Sequence, residues 1–141
     1  MAQAWFESRL AEAAIHHVKT DSAGLLGIVG SEAAPEAVAV LQEFGVDLST
    51  HRSRALDAER LARADLTLVM SLKQLAQFRR RWPGHLGPVH LLRAFEAGAE
   101  PAEGPPDLDD PVGRPIEVFR TTFDVIRPCV EHLLILLRHL P

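Results

Sequence analysis

The sequence has little cysteine and no excess of basic residues. Its one cysteine, Cys129, excludes an internal disulfide and a cysteine-rich metal site. A net charge of −4 offers no broad basic surface, so no nucleic acid partner is expected. The short cluster of Arg79, Arg80 and Arg81 is interpreted as a solvated helix end. No apolar run reaches about 18 residues and no export signal is visible, so no membrane segment is expected and a cytoplasmic protein is predicted.

What is present suits one globular domain. The 141 residues are 47% apolar and 24% charged, a balance typical of globular proteins with a single core. Apolar spacing predicts helices at residues 1–17, 35–44, 57–64, 71–81 and 114–140. Short apolar runs predict strands at 66–70 and 89–92, with the strand at 66–70 buried on both faces. Residues 18–22, which end at Ala23-Gly24, are a further short strand candidate. Loops are predicted at 24–30, 46–56 and 93–106.

Individual residues mark where several of these elements begin and end. Asp57 and Ser71 are predicted to cap the helices that follow them, and Gly45 to end the helix before it. Pro128 lies inside the last helix and is expected to kink or restart it. Helices that alternate with short apolar strands predict an α/β domain with a parallel sheet.

In parallel sheets, ligands bind beyond the carboxyl ends of the strands. Three features of the sequence fall there: Ser22 with Gly24, Ser71, and an acidic stretch at residues 106–114. The acidic stretch places Asp107, Asp109 and Asp110 directly before Pro111, which restricts Asp110 to an extended conformation. Asp110 is therefore a candidate general acid. The alternative is an acidic turn that caps the helix beginning near Arg114.

Four segments, in order, resemble the low-molecular-weight protein tyrosine phosphatases. They are Asp21-Ser22-Ala23-Gly24; Gly45-Val46-Asp47 with His51-Arg52-Ser53-Arg54; Ala64-Asp65-Leu66-Thr67-Leu68-Val69-Met70; and Asp109-Asp110-Pro111 with Gly113. The last is most similar to the bacterial branch, which includes protein arginine phosphatases and is related to arsenate reductases. The resemblance implies a three-layer α/β fold, a small parallel sheet flanked by helices, with the first strand missing.

The resemblance also implies roles for single residues. Asp110 matches the general acid that protonates the leaving group and later activates water. Ser22 and His51 match residues that support the phosphate-binding loop; the alternatives are a turn hydroxyl and a loop histidine. Gln3 stands where the family commonly has glutamate, and Val112 stands where it has an aromatic that flanks the substrate.

The family's catalytic loop, Cys-x-x-x-x-x-Arg-Ser-Pro, has no match in the chain. Cys129 does not fit, because the sixth residue after it is Ile135, and it is expected to be a buried structural cysteine. Met1 to Phe6 resemble the start of the helix that follows the loop. The chain is therefore expected to be an N-terminally incomplete single domain, lacking a segment on the order of 15–20 residues. It is predicted to be inactive as written, with no nucleophile among its residues.

The predicted function is that of the family: hydrolysis of a phosphorylated protein, on tyrosine or arginine, through a phosphocysteine intermediate. The alternatives are a non-catalytic phosphate- or partner-binding module and an arsenate reductase-related protein. No cofactor is implied, and the histidines show no metal-ligand spacing. A dimer formed through the gap left by the missing strand is a further expectation.

Overall fold

A computed structural model of the protein describes residues 1–96 and 107–138. Five α-helices and two strands follow one another in these residues. The helices are α1 (Ala2–Glu12), α2 (Pro35–Gln42), α3 (Ala58–Ala62), α4 (Leu72–Arg81) and α5 (Ile116–Leu137). The strands are β1 (Thr67–Val69) and β2 (Val89–Leu91), and a 3₁₀ turn (Leu92–Phe95) follows β2. The predicted helix end at Leu140 lies outside the described residues. The predicted loop at 93–106 begins within the 3₁₀ turn, and its residues 97–106 lie outside the described part.

Two helices begin at the residues predicted to cap them. The Asp57 side chain accepts a hydrogen bond from the Arg60 N–H, and the Ser71 hydroxyl accepts one from the Gln74 N–H. Each bond satisfies a backbone donor that has no partner within its helix. Gly45 ends the turn after α2 with φ +74°, a conformation that favours glycine. These three predictions are confirmed.

The sheet is small and parallel, as predicted. Thr67 lies opposite Val89, and Val69 lies opposite Leu91. The helix α4 packs against both strands. The prediction that the strand at 66–70 is buried on both faces is wrong: Val69 is buried, but Thr67 and Leu68 are partly exposed. The reason is that β1 has one neighbouring strand in the described part of the chain, so one of its edges stays open.

The strand predicted at 18–22 is absent. Residues 18–22 have no neighbouring backbone to pair with among the described residues, and a strand exists only where such pairing satisfies its N–H and C=O groups. Gly24 instead forms a single parallel bridge to Ala55. The predicted loop at 46–56 is thereby tied to the glycine-rich loop: the Gly24 N–H donates to the Arg54 carbonyl over 2.7 Å, and the Ser53 N–H donates to the Ser31 carbonyl over 2.8 Å.

The edge of β1 that faces away from β2 is occupied at its carboxyl end by other hydrogen-bond partners. The Thr67 N–H points to β2, where it donates to the Pro88 carbonyl over 3.0 Å. Successive residues of a strand alternate direction, so Met70 turns its backbone groups the other way. Its N–H donates to Gln74 Oε1 over 2.8 Å, and its carbonyl accepts from the Leu108 N–H over 2.7 Å. A side chain and a loop therefore occupy the place of a neighbouring strand.

The core lies where α5 packs against α1 and α2. α5 is one helix of 22 residues that continues through Pro128, so the expected restart is wrong. Pro128 removes one backbone donor, but the apolar stripe is continuous on both sides of it. The buried residues that these helices contribute to the core are Ala37, Val40, Leu41, Phe119, Phe123, Ile126, Cys129 and Val130.

Three aromatic rings join α1, the end of α2 and α5. The ring centre of Phe123 lies 5.5 Å from that of Trp5 and 5.0 Å from that of Phe44, each in an edge-to-face arrangement. The Arg127 guanidinium lies 4.8 Å from the Phe44 ring centre and closes the outer side. Edge-to-face pairs add to the stabilisation from burial alone, so this cluster fixes the position of α1 on the core.

The helix α1 is shorter than predicted because the chain turns at Ala14. The Ile15 N–H donates to the Leu10 carbonyl and the Ala14 N–H donates to the Ala11 carbonyl, the two bonds of a Schellman motif. Ala14 has φ +54°, in the left-handed region. An L-residue with a Cβ atom is strained there, so this turn uses alanine where glycine fits better.

Ala14→Gly is therefore expected to raise the free energy of unfolding by about 0.5–1 kcal/mol. The substitution removes a left-handed strain of about 1–2 kcal/mol but increases the entropy of the unfolded chain. Urea denaturation measures the difference. The matched control is Ala11→Gly, inside α1, which is expected to destabilise by about 1 kcal/mol. A loss of stability at both positions would contradict the assignment of strain to Ala14.

Candidate functional site

The start of α1 gathers two of the residues singled out in the sequence. The Ser22 hydroxyl donates a hydrogen bond to Gln3 Oε1 in the first turn of the helix. The Gln3 amide in turn donates to Glu7 Oε1 over 3.0 Å. Ser22 thus contacts the helix end at which the resemblance places the phosphate-binding loop. A role as an isolated turn hydroxyl does not describe this contact.

His51 lies beside the same helix end. Burial lowers the pKa of His51, and the positive charges of the Met1 amino group and Arg54 lower that pKa further. Burial also lowers the pKa of the Met1 amino group. The neutral imidazole is therefore the favoured form of His51, and a neutral ring offers both a hydrogen-bond donor and an acceptor.

The lowered pKa of His51 makes stability depend on pH in a defined direction. Below the ordinary histidine pKa of 6.5, the unfolded chain binds this proton more readily than the folded chain, so folding stability falls as pH decreases. Above that value the contribution is constant. We expect His51→Gln to flatten the melting temperature against pH below 6.5, measured by circular dichroism. The control is His16→Gln at an exposed position; an equal flattening there would contradict the assignment.

Asp21 ties the Ser22 segment to the His51 segment. Its carboxylate accepts from Arg54 Nη1 over 2.9 Å and from Arg60 Nη1. Burial opposes the ionisation of Asp21, but the hydrogen bonds from the Ser22 N–H and the two guanidinium groups outweigh it and hold its pKa below the usual value. The ion pair between Asp21 and Arg54 therefore holds the segment of Ser22 next to the segment of His51.

The acidic loop is fixed at the carboxyl end of β1. Asp107 Oδ1 accepts from the Leu72 N–H over 2.7 Å, which satisfies a free donor at the start of α4. The Asp107 carbonyl accepts from Arg93 Nη1 over 3.2 Å, and the Leu108 N–H donates to the Met70 carbonyl over 2.7 Å. Three hydrogen bonds therefore hold this loop, one to the residue that follows β1, one to the start of α4 and one to Arg93 in the 3₁₀ turn. The loop lies at the end of β1 where parallel sheets bind ligands.

Asp110 is exposed on this attached loop. Its Oδ1 accepts from the Val112 N–H over 3.1 Å, the bond of an Asx turn. The alternative of a helix-capping turn is wrong, because α5 begins after Pro115 without a side-chain cap. Val112 is exposed beside Asp110. Among the described residues, no hydrogen bond joins Asp110 to Ser22 or His51, so the structure brings together the latter two and leaves Asp110 on its own loop.

Cys129 is a core residue, as expected. It is buried in α5, and its Sγ donates to the Val125 carbonyl over 3.2 Å. Burial, with a smaller contribution from the nearby Glu96 carboxylate, raises the pKa of Cys129 to about 11. A nucleophilic cysteine needs the opposite, a lowered pKa and access to substrate. Cys129 therefore supports the core and is not a nucleophile.

The chain as a whole matches a family model described as low molecular weight phosphotyrosine protein phosphatase, over residues 1–140. The chain belongs to this family. The family assignment is the one that the four sequence segments indicated, and it agrees with the small parallel sheet flanked by helices. An enzyme family that acts on phosphorylated proteins is thus established for the chain.

Relatives of two named specificities are similar to the chain. A probable low molecular weight protein-tyrosine-phosphatase EpsP of Ralstonia solanacearum is 33% identical over 131 residues, which are 93% of this chain and 81% of the relative. The protein-arginine-phosphatase of Geobacillus stearothermophilus is 32% identical over 82% of this chain and 74% of its own length. Tyrosine and arginine phosphatases of the family are thus similar to the chain to the same degree.

The solved structure of the YwlE arginine phosphatase from Geobacillus stearothermophilus has the same fold. It superposes with a TM-score of 0.83 at 31% identity, over 97% of this chain and 82% of that one. The low molecular weight protein tyrosine phosphatase from T. tengcongensis superposes with a TM-score of 0.81 at 30% identity, over 94% of this chain and 86% of that one.

Sequence reasoning missed the residues that hold this low molecular weight phosphatase site in place. Asp107 binds the start of α4, a contact that the sequence did not predict. Asp21 belongs to one of the quoted segments but was given no role, and Arg93 belongs to none; their contacts join segments that are separate in sequence. Within residues 1–96 and 107–138, no cluster of side chains suits a metal ion. No helix in that part of the chain is long and apolar enough to cross a membrane.

Proposed function

We propose that the chain carries the acid–base half of a phosphoprotein phosphatase, with Asp110 as the general acid. The observation that supports this is the position of Asp110: an exposed carboxylate on a loop that three hydrogen bonds hold to the end of β1, the start of α4 and Arg93. A rigidly held carboxylate beyond a parallel sheet can reach a bound phosphate ester without first ordering its own loop.

The reaction proceeds in two steps. A cysteine thiolate attacks phosphorus, the S–P bond forms, the bond from phosphorus to the leaving oxygen or nitrogen breaks, and Asp110 gives its proton to that atom. Water then attacks phosphorus, the S–P bond breaks, and the Asp110 carboxylate takes a proton from the water. Ser22 and His51 would hold the loop that carries the thiolate, from the positions they occupy beside the first turn of α1.

The nucleophile is proposed to come from a Cys-x-x-x-x-x-Arg loop joined to the start of α1. Such a loop would direct its backbone N–H groups at the phosphate, aided by the helix dipole. None of the 141 residues supplies it, since the sixth residue after Cys129 is Ile135. We propose that the 141 residues alone are inactive and form an incomplete single domain that acts in the cytoplasm.

Two chains test this proposal: residues 1–141, and an extended chain in which the frame upstream of Met1 is translated. The extended chain is expected to contain an apolar strand and Cys-x-x-x-x-x-Arg-Ser-Pro, and to hydrolyse p-nitrophenyl phosphate. Residues 1–141 are expected to show no turnover. Turnover by residues 1–141 would refute the proposed division of roles, and an upstream frame without the motif would favour a non-catalytic binding module.

The substrate is proposed to be a protein phosphorylated on tyrosine or arginine. Relatives named for both specificities support this, and Val112 in place of an aromatic favours arginine, since a phosphotyrosine ring would lose a stacking partner. Comparing phosphotyrosine and phosphoarginine peptides on the extended chain measures the preference. A preference for phosphotyrosine would show that Val112 does not set it.

We also propose that residues 1–141 dimerise through the open edge of β1. The partly exposed Leu68 lies on that edge, and its backbone groups face away from β2. Sedimentation equilibrium over a range of concentrations is expected to show a reversible dimer, and the extended chain a monomer. A monomer for both chains, each melting cooperatively, would exclude the dimer.

A further inference from the structure

A groove on the side of α3 and α4 is not used by the phosphatase proposal. It has a volume of about 360 Å³ and lies between α3 and the residues that follow α4. Most of its walls are apolar. The lining residues are Ala58, Leu61, Ala62, Arg81, Trp82, Pro83, Gly84 and His85. None of them is Ser22, His51 or Asp110.

The wall made by Trp82 is held from two sides. The Phe78 ring centre lies 5.3 Å from that of Trp82, and Phe78 is itself buried. On the other side, the Arg81 guanidinium lies 4.8 Å from the Trp82 ring centre and donates to the Leu25 carbonyl over 2.7 Å. The indole is therefore positioned before any partner binds, which lowers the entropy cost of binding.

The segment that contains α3 and α4 is basic, although three of its arginines, Arg54, Arg60 and Arg63, pair with carboxylates. Residues 54–85 contain seven lysines and arginines and three aspartates and glutamates, whereas the whole chain has a net charge of −4. Arg79 and Arg80 are exposed and make no hydrogen bond or ion pair with any described residue. The last turn of α4, from which Arg81 lines the groove, therefore also presents two exposed arginines that have no partner among the described residues. The solvated helix end predicted from the sequence describes Arg79 and Arg80 but not Arg81.

Two large apolar side chains stand exposed on segments that border this groove. Leu86, which follows the lining residue His85, is 98% exposed. Leu26, which follows the residue bound by Arg81, is 83% exposed. Exposed apolar side chains next to a preformed groove and unpaired cations are a combination found at protein interaction sites.

We propose that this α3–α4 groove docks an acidic protein segment that carries one apolar anchor residue. The anchor fills the groove against Trp82, and carboxylates on either side of it pair with Arg79 and Arg80. Charge complementarity selects such a segment, because a basic or neutral one leaves these guanidinium groups without counter-charges. The site lies apart from Asp110, so docking is separate from the proposed phosphoryl chemistry.

Fluorescence anisotropy of a dye-labelled peptide tests the proposal on residues 1–141. The peptide has one leucine flanked by glutamates and aspartates. We expect saturable binding that weakens as ionic strength rises, and that weakens at least about tenfold when the leucine is replaced by serine. Equal binding of the serine peptide, or no binding of either peptide, would overturn the proposal. Tighter binding of a labelled single-stranded RNA would assign the surface to nucleic acid instead.

A pair of charge-matched variants locates the site. Arg79→Glu with Arg80→Glu is expected to weaken peptide binding at least about tenfold, with an unchanged melting temperature, because both side chains are exposed and unbonded. Lys19→Glu with Arg138→Glu changes the net charge equally at exposed positions that do not line the groove, and is expected to change binding less than about twofold. Equal losses of peptide binding in the two variants would show that overall charge attracts the peptide and that no specific site binds it.

Discussion

Asp110→Asn in the extended chain is expected to lower kcat by about 10²–10⁴-fold, the usual contribution of a general acid. Asparagine keeps the acceptor for the Val112 N–H but has no proton to give to the leaving group. The Asx turn, and with it the loop geometry, is therefore retained. Steady-state kinetics measures the loss.

The size of the loss should depend on the leaving group. Phenyl phosphate needs a proton more than p-nitrophenyl phosphate, whose phenol is more acidic, so the decrease in kcat should be larger for phenyl phosphate. The matched control is Asp109→Asn, an adjacent exposed carboxylate, for which a decrease of less than about threefold is expected because long-range charge effects are screened. If Asp109→Asn lowered kcat as much as Asp110→Asn does, the assignment of Asp110 as the general acid would be wrong.

Phe123→Ala is expected to lower the free energy of unfolding by about 3–5 kcal/mol, the range measured for large-to-small changes at buried aromatics. Phe123 is 1% exposed and its ring contacts both Trp5 and Phe44, so its removal leaves a cavity at the junction of α1 and α5. Urea denaturation followed by circular dichroism gives the value, provided that the unfolding slope is unchanged.

Phe44→Ala separates burial from ring contact. Phe44 is 40% exposed, so we expect Phe44→Ala to lower the free energy of unfolding by roughly half as much as Phe123→Ala, or less. The double variant should show a coupling of about 0.5–1.5 kcal/mol between the two rings, the value found for aromatic pairs. A coupling near zero would mean that area burial alone explains the cluster.

Local signals in the sequence predicted most of the helices. The caps Asp57 and Ser71 and the stop at Gly45 act within a few residues, so the sequence alone specifies them. The prediction of a strand at 18–22 was wrong for the opposite reason. A strand needs a neighbouring strand to pair with, and the local sequence does not show whether one is present. The end of α1 was missed because its left-handed turn uses Ala14, and alanine is a helix-forming residue.

The residues of the candidate site also differ in whether the sequence could predict them. Asp110, Ser22 and His51 were predicted because they belong to motifs, and the structure accounts for two of them by their contact with or closeness to the start of α1. The groups that hold the site, Asp21 and Asp107, bond to residues more than thirty positions away. No periodicity or spacing marks such contacts, which only the folded backbone creates.

The closed carboxyl end of the β1 edge limits how copies of this chain can associate. An added strand would find the Met70 N–H already bound by Gln74 and the Met70 carbonyl already bound by Leu108. Growth of a continuous sheet from molecule to molecule needs a longer free ladder than the one around Leu68. Gln74 and the loop at 107–108 therefore shorten the part of this edge that a second chain could pair with.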